Sequence, residues 1–463
     1  MDVRAIREQF PILREPIPGR EGKTHALRFF DHAASTHAPK PVVDALVEFL
    51  TTSYANVHRG AHHLSERATD RFEHARERVK GFVGAPSDRE AIFVMNTTQA
   101  LSLASHVACS LHDGPVLSTR LEHHSNLLPH ASHGHKGQVD FSDPHPWYGR
   151  LEMISVNAEG RLDLDALEAR LRGKPKPRLL ALSCASNVTG VRAPIREVLE
   201  HAQDARVPVL LDGAQILAHE KLDFARLPGG GPDYFAAAGH KAYAPVGSAF
   251  LVAKCELLDQ APPWMPGGGT VKLVLDDEIM WAESPDRHEG GTPNVPGAVA
   301  LAAALDFLDA VDLHEAEKRE MRLFARLLRG LLDIPSVKLL GPHSTKERVG
   351  VVSFSVGKWS PAALATALNA EHGVAVRHGC FCAHPYLMEL LGVHAGPFIE
   401  EIRRGGSTSA PGIPGAVRAS LGVYNDESDV DALLDAVTKL AARAPDSGYA
   451  WKPDREHWVP TPF

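Results

Sequence analysis

Cysteine is scarce in this chain: Cys109, Cys184, Cys255, Cys380 and Cys382 are five among 463 residues, odd in number and scattered. That excludes a disulfide framework and predicts reduced thiols, as in a cytoplasm. No apolar run approaches the ~20 residues of a membrane helix. The opening MDVRAIREQFPIL mixes charges and lacks the continuous apolar segment of a secretion signal, so a cytoplasmic protein with no membrane partner is expected. Positive charge is not in excess. The net charge of −8 gives no electrostatic reason to expect nucleic acid or an anionic membrane as partner. Metal-site spacing is missing too. His58, Arg59, His62 and His63 do not carry the spacing of a zinc site, and Cys380-x-Cys382-x-His384 is too short for a closed tetrahedral one, so no metal is expected. The glycines Gly267 to Gly269 are followed by no G-K-[ST], which excludes a Walker phosphate loop. What remains, with 44% hydrophobic and 23% charged residues, is a globular protein of about two domains with an ample core.

The informative stretch runs from Leu210 to Ala244. Apolar runs at Val207 to Leu211 and Tyr234 to Ala238 read as buried strands, and each ends in a polar cluster: Asp212-Gly-Ala-Gln215 and Gly239-His240-Lys241. In open α/β sheets the strand ends are where ligands bind, so a carboxylate and an amine delivered there face one small molecule. A lysine in such a place is ordinarily solvated surface. Its pairing with a carboxylate among small residues argues otherwise, because a buried carboxylate needs a cationic neighbour. Pyridoxal phosphate requires this pair: a lysine to hold its aldehyde as a Schiff base, here Lys241, and a carboxylate to keep its ring nitrogen protonated, here Asp212.

DGAQ followed by GHK resembles the class V aminotransferase group of fold-type I pyridoxal-phosphate enzymes, and later motifs resemble its cysteine desulfurase and selenocysteine lyase branch. The resemblance implies an α/β fold: a large domain with a mixed, mostly parallel seven-stranded sheet sandwiched by helices, plus a smaller α+β C-terminal domain. It places an N-terminal arm at 1–30 packing with the small domain, the large domain at 31–295 and the small domain at 296–463. It also implies that Gln215 bonds the cofactor's phenolic oxygen and that His240 helps hold the phosphate. The family's serine before GHK is Ala238 here, so one hydroxyl contact is supplied elsewhere or lost.

Further matches follow the chain. Asn96-Thr97-Thr98-Gln99 lies between a strand and a helix, where free N–H groups welcome an anion, though threonine is also an ordinary N-cap. The family's T-T-E-G/Q turn makes Thr98 and Gln99 phosphate ligands. Glu122-His123-His124-Ser-Asn126 resembles the family's E-H-H-x-N, which implies that the first histidine, His123, stacks on the cofactor ring and moves protons, while His124 reads as structural. Asn187, after the strand in PRLLALSCASNVTG, resembles the asparagine that contacts cofactor or substrate carboxylate. Cys184 within that run reads as a packed core thiol. His58 in VHRG resembles an entrance residue near the substrate. In RHEGGTPNVPG, Thr292 resembles the residue that donates to the phosphate of the other subunit, which implies a homodimer with shared active sites.

The motif Val376-Arg-His-Gly-Cys-Phe-Cys382 matches the branch's R-x-G-x-x-C through Arg377, Gly379 and Cys382, and makes Cys382 the candidate nucleophile. Cys380 is an extra thiol. In Val417-Arg-Ala-Ser-Leu, Arg418 resembles the clamp of the substrate α-carboxylate, a task suited to planar guanidinium. Between these motifs lies a glycine-, proline- and serine-rich insertion at 393–416, expected to shape the site mouth. The expected activity converts L-cysteine, or L-selenocysteine, to L-alanine with a persulfide on Cys382 and an acceptor protein as sulfur partner. Two other readings stay open: a class V lyase, epimerase or transaminase with Cys382 a bystander, and a non-catalytic cofactor-binding or sulfur-carrier scaffold.

Overall fold

The computed structural model describes residues 2–132, 151–394, 396, 404, 406–407 and 410–461. Its centre is a sheet of seven strands: β1 (Arg89–Val94), β2 (Val116–Thr119), β3 (Leu151–Ile154), β4 (Leu179–Ser183), β5 (Val209–Asp212), β6 (Tyr234–Ala238) and β7 (Ala249–Lys254). They lie in the order β1-β7-β6-β5-β4-β2-β3. Only β7 runs antiparallel to its neighbours, so the sheet is mostly parallel, as expected.

The apolar runs follow from burial on both faces. Side chains alternate across a strand, so a strand covered on both sides must be apolar throughout. Leu210, Tyr234 and Ala236 pack on one face beneath helix Thr97–Leu111. Leu211, Phe235 and Ala237 join the opposite core, which includes Phe82 and Phe307 from helices His63–Phe82 and Val295–Val311. The parallel strands all point their carboxyl ends to one edge, and that edge is where the polar clusters fall.

A second core forms around a four-stranded antiparallel sheet of β8 (Val337–Leu340), β9 (Val351–Val356), β10 (Arg377–Gly379) and β11 (Ala416–Ser420), ordered β8-β9-β11-β10. Helix Leu313–Leu332 buries Phe324, Leu327, Leu328 and Leu331 against it, the stripe that its helical spacing predicts. The first thirty residues meet this part of the molecule: Arg7 and Arg28 both pair with Asp429 at 2.7 Å, and Arg28–Phe29 pairs in parallel with Val374–Ala375. The run GVAVRHG, which reads as one strand, is therefore two, because Val374–Ala375 turns to the N-terminal segment while Arg377–Gly379 joins β11. The aromatic tail forms a hairpin, Tyr449–Lys452 with His457–Pro460, and tucks Tyr449 and Trp458 into the second core. The middle of the insertion at 393–416, including 397–403, lies outside the described residues, and so does the expectation placed on it. Among the described residues no helix is long and apolar enough to cross a membrane.

Candidate active site

A cavity of about 240 Å³ opens at the carboxyl edge of the large sheet. Its walls come from segments distant in sequence: Ala33 and Ala34 near the start, Asn96 to Thr98 after β1, His123 and Ser125 after β2, Ser183 and Asn187 at β4, Asp212 to Gln215 at β5, His240 and Lys241 after β6. The small sheet supplies Arg377, Phe381, Cys382 and Arg418.

Lys241 closes a single turn, Gly239–Lys241, directly after β6. The turn is anchored through the His240 carbonyl, which accepts from Thr36 N–H at 2.7 Å and from the Ser35 and Thr36 hydroxyls at 3.1 Å. A Cβ on Gly239 would lie 2.4 Å from Ser248 Oγ, so only glycine lets the chain turn there. Burial lowers the Lys241 amine to about 8, with Asp212 pulling the other way. Asp212 ends β5, is buried, and accepts one hydrogen bond from Ala214 N–H at 2.9 Å; burial raises its pKa, opposed by that bond and by Lys241. Gln215 donates from Nε2 to Ala33 O at 2.9 Å, which leaves its second N–H and its oxygen for the cavity.

Burial, then the charge on Lys241, lowers His123 to about 4, so its ring is neutral at neutral pH. Its Nδ1 accepts from Ser125 N–H at 3.1 Å, which puts the ring proton on Nε2. Beneath it, Glu122 is buried and takes bonds from Thr119 Oγ1 (2.8 Å), Asn126 Nδ2 (2.8 Å) and Ser183 Oγ (2.5 Å). Burial pushes its carboxyl up to about 7. At the N-terminus of helix Thr97–Leu111 the Thr97 hydroxyl is buried without a partner, and Thr98 Oγ1 meets Ser125 Oγ at 2.7 Å.

Arg418 comes from β11 and is buried. Nη1 donates to Asn187 O at 3.0 Å and Nη2 to Asp31 Oδ1 at 3.3 Å, its guanidinium lies 4.8 Å from the centre of the Phe381 ring, and Nε has no partner. Burial lowers it to about 10, still a cation at neutral pH. Asp31 also lies 3.7 Å from Arg377, which is 57% exposed at the mouth. Cys382 is exposed. Phe381 and Cys382 have φ of +54° and +52°, and their carbonyls are held by Asn187 Nδ2 and His124 N–H, both at 2.7 Å.

A family model described as Aminotransferase class-V matches residues 28–433. The chain belongs to that family. A class V relative, the cysteine desulfurase of Cronobacter sakazakii, is 35% identical over 442 residues, covering 95% of this chain and 98% of its own. The probable cysteine desulfurase of Vibrio cholerae is 33% identical over the same shares. Among solved structures, the apo cysteine desulfurase of Thermococcus onnurineus gives a TM-score of 0.79 at 32% identity, covering 95% of this chain and 98% of that one. A cysteine desulfurase of Escherichia coli gives 0.77 at 30%, with the same coverage.

Of the residues singled out by the class V resemblance, Thr98, His123, Asn187, Asp212, Gln215, His240, Lys241, Arg377, Cys382 and Arg418 line the one cavity. Gln99, Thr292 and His58 do not. Gln99 turns back to accept Met95 N–H at 2.9 Å, and it lines a neighbouring cavity of about 160 Å³ together with Thr292. His58 is exposed and sits edge-on to Phe72, 5.9 Å between ring centres. The Asn187 side-chain amide is occupied by the Phe381 carbonyl. Sequence reasoning missed Thr97, Ser125, Phe381 and Asp31. Ser125 stood inside a recognised motif, but its partner Thr98 is 27 residues away, and Asp31 is 387 residues from its partner Arg418. Among the described residues no cluster of three His, Cys, Asp or Glu is placed to hold a metal.

Proposed function

We propose that this chain is a pyridoxal-phosphate-dependent cysteine desulfurase that converts L-cysteine to L-alanine and leaves the sulfur as a persulfide on Cys382. The observation that carries this reading is the convergence of Lys241, Asp212, His123, Arg418 and Cys382 on one cavity. The donor set fits the cofactor. A desolvated amine, a buried carboxylate with one hydrogen bond, and a helix N-terminus with the unpartnered Thr97 hydroxyl suit an aldehyde, a ring N–H and a phosphate respectively. When bound, pyridoxal phosphate supplies the electron sink that lets the substrate Cα–H bond break.

The chain's own groups do the rest. Arg418 offers its buried, unpartnered Nε–H to the substrate carboxylate, while Asp31 and Asn187 fix the guanidinium plane. Lys241, whose amine burial brings down to about 8, takes the Cα proton, and neutral His123 passes protons at the ring face. The Cys382 thiolate attacks the substrate's γ-sulfur, the Cβ–S bond breaks, and the persulfide remains on the mouth loop. Exposure of Cys382 suits delivery to an acceptor protein, and the placement of Thr292 outside the cavity suits a homodimer in which it serves the partner's site. The test is stoichiometric. L-Cysteine with a reductant should give equal amounts of alanine and sulfide, and Cys382→Ser should abolish both; alanine formed at the normal rate by that variant overturns the reading.

A further inference from the structure

Two thiols, not one, stand on the nucleophile loop. Cys382 is exposed and lines the cavity, whereas Cys380 is half-buried, packs in the cluster that includes Leu121 and Leu390, and donates its S–H to Pro414 O at 3.4 Å. Between them Phe381 is left-handed at φ +54°, a conformation that bulky L residues rarely adopt. Such strain persists where neighbours over-determine it. Here two do, the Asn187 amide on the Phe381 carbonyl and the His124 N–H on the Cys382 carbonyl.

What this turn achieves is a short span. The distance between Cα atoms two residues apart depends on the φ and ψ of the residue between them. A left-handed residue there gives about 5.4 Å, the same as one of either helical hand. A disulfide joins Cα atoms roughly 4.4–6.8 Å apart. The turn therefore sets the two Cα atoms within the bridging range. The side chains leave it in different directions, Cys382 to the cavity and Cys380 to the cluster of Leu121 and Leu390, so closure needs the loop to turn them together and the weak Pro414 contact to be lost. An extended residue at 381 would set the two Cα atoms about 6.5–7 Å apart, at or beyond that limit.

We propose that Cys380 is a resolving thiol for the persulfide on Cys382; this rests on the desulfurase reading above. Cys380 Sγ attacks Cys382 Sγ, the persulfide S–S bond breaks, and a Cys380–Cys382 disulfide forms. The terminal sulfur leaves as hydrogen sulfide, taking the Cys380 proton. The terminal sulfur is reduced from the persulfide to the sulfide level and the Cys380 sulfur is oxidised from the thiol to the disulfide level, while the Cys382 sulfur keeps its level, so the step needs no other oxidant. Its order is built in: burial, then the neighbouring Cys382, holds the Cys380 thiol up near 11, and it stays silent while Cys382 meets substrate. Without an acceptor or a reductant the site discharges one sulfide and locks, and a thiol reopens it.

The test loads the holoenzyme with one equivalent of L-cysteine per site and no other reductant, so that no free thiol is left to reopen the bridge, and examines the peptide carrying both cysteines under non-reducing conditions. In the wild type that peptide should be two hydrogens lighter, with one sulfide and one alanine released per site. In Cys380→Ser it should be one sulfur heavier, sulfide release should fall about tenfold or more, and turnover with excess reductant should be unchanged. A wild-type peptide that stays one sulfur heavier, with no bridge, overturns the proposal even if the variant fails to fold. Absence of alanine from either protein overturns the desulfurase reading instead.

Discussion

The floor and the mouth of the cavity are built on different principles. Asp212, Lys241 and His123 follow the ends of three parallel strands, and their positions are fixed by a sheet buried on both faces. Arg377 opens β10 of the small sheet and Cys382 stands on the loop after it, both exposed. Arg377 pairs with Asp31, and the loop is tied to the large-sheet side by Asn187 Nδ2 on the Phe381 carbonyl and His124 N–H on the Cys382 carbonyl. The floor is suited to permanent tenancy. The mouth is suited to a group that must react, turn outward and be emptied.

Substitutions at the two levels should therefore fail differently. The largest effect belongs to Lys241→Ala, which removes the amine that lines the floor of the cavity. Alanine formation should drop at least ~10⁴-fold, and borohydride treatment should no longer fix a pyridoxyl group on the peptide containing position 241. Cys382→Ser should lose about 10³-fold or more of sulfide formation and keep the cofactor's visible absorbance. If the mouth variant also lost its colour, the division between floor and mouth would be wrong. Arg418→Lys keeps the charge but loses the planar fork that Asp31 and Asn187 hold. It should lower kcat/KM for cysteine about 10- to 100-fold, chiefly through KM.

The pH dependence of cofactor uptake probes the floor alone. Imine formation needs the neutral amine. With Lys241 brought down to about 8 by burial, the neutral fraction of the protein rises about tenfold for each pH unit below that value and levels off above it. Uptake of pyridoxal phosphate, followed by absorbance, should therefore steepen from pH 6 to 7 and be flat by about pH 9. A rate still climbing toward 10 would mean an amine as free as solvated lysine.

The floor was legible in the sequence because its signals are local: an apolar run ending in Asp-Gly-Ala-Gln, another ending in Gly-His-Lys. Gly213 illustrates why the residue type is forced, since a Cβ there would lie 2.2 Å from the Phe235 ring. The mouth was legible only through motifs, and its supports were not. Asp31 binds Arg418 across 387 residues, and nothing in either segment names the other. Gln99 shows the limit in the opposite direction. It stands in a phosphate-binding motif, yet its side chain caps the turn before its own helix, a competition that the order of residues does not decide.

The smallest expected effect sharpens the account of the floor. Ala238 removes a hydroxyl that the family usually places before Gly-His-Lys. Ser125 enters the cavity from the end of β2, its hydroxyl 2.7 Å from that of Thr98, and the unpartnered Thr97 lines the same cavity. A neutral hydrogen bond is worth about 0.5–1.5 kcal/mol, so Ser125→Ala should weaken retention of pyridoxal phosphate by only ~2- to 10-fold. Adding Ala238→Ser to that variant should recover most of the loss, because either hydroxyl then serves the one phosphate. Two independent losses, each unaffected by the other when cofactor dissociation is measured by dilution, would mean that Ser125 only braces Thr98 and that the missing hydroxyl has no substitute.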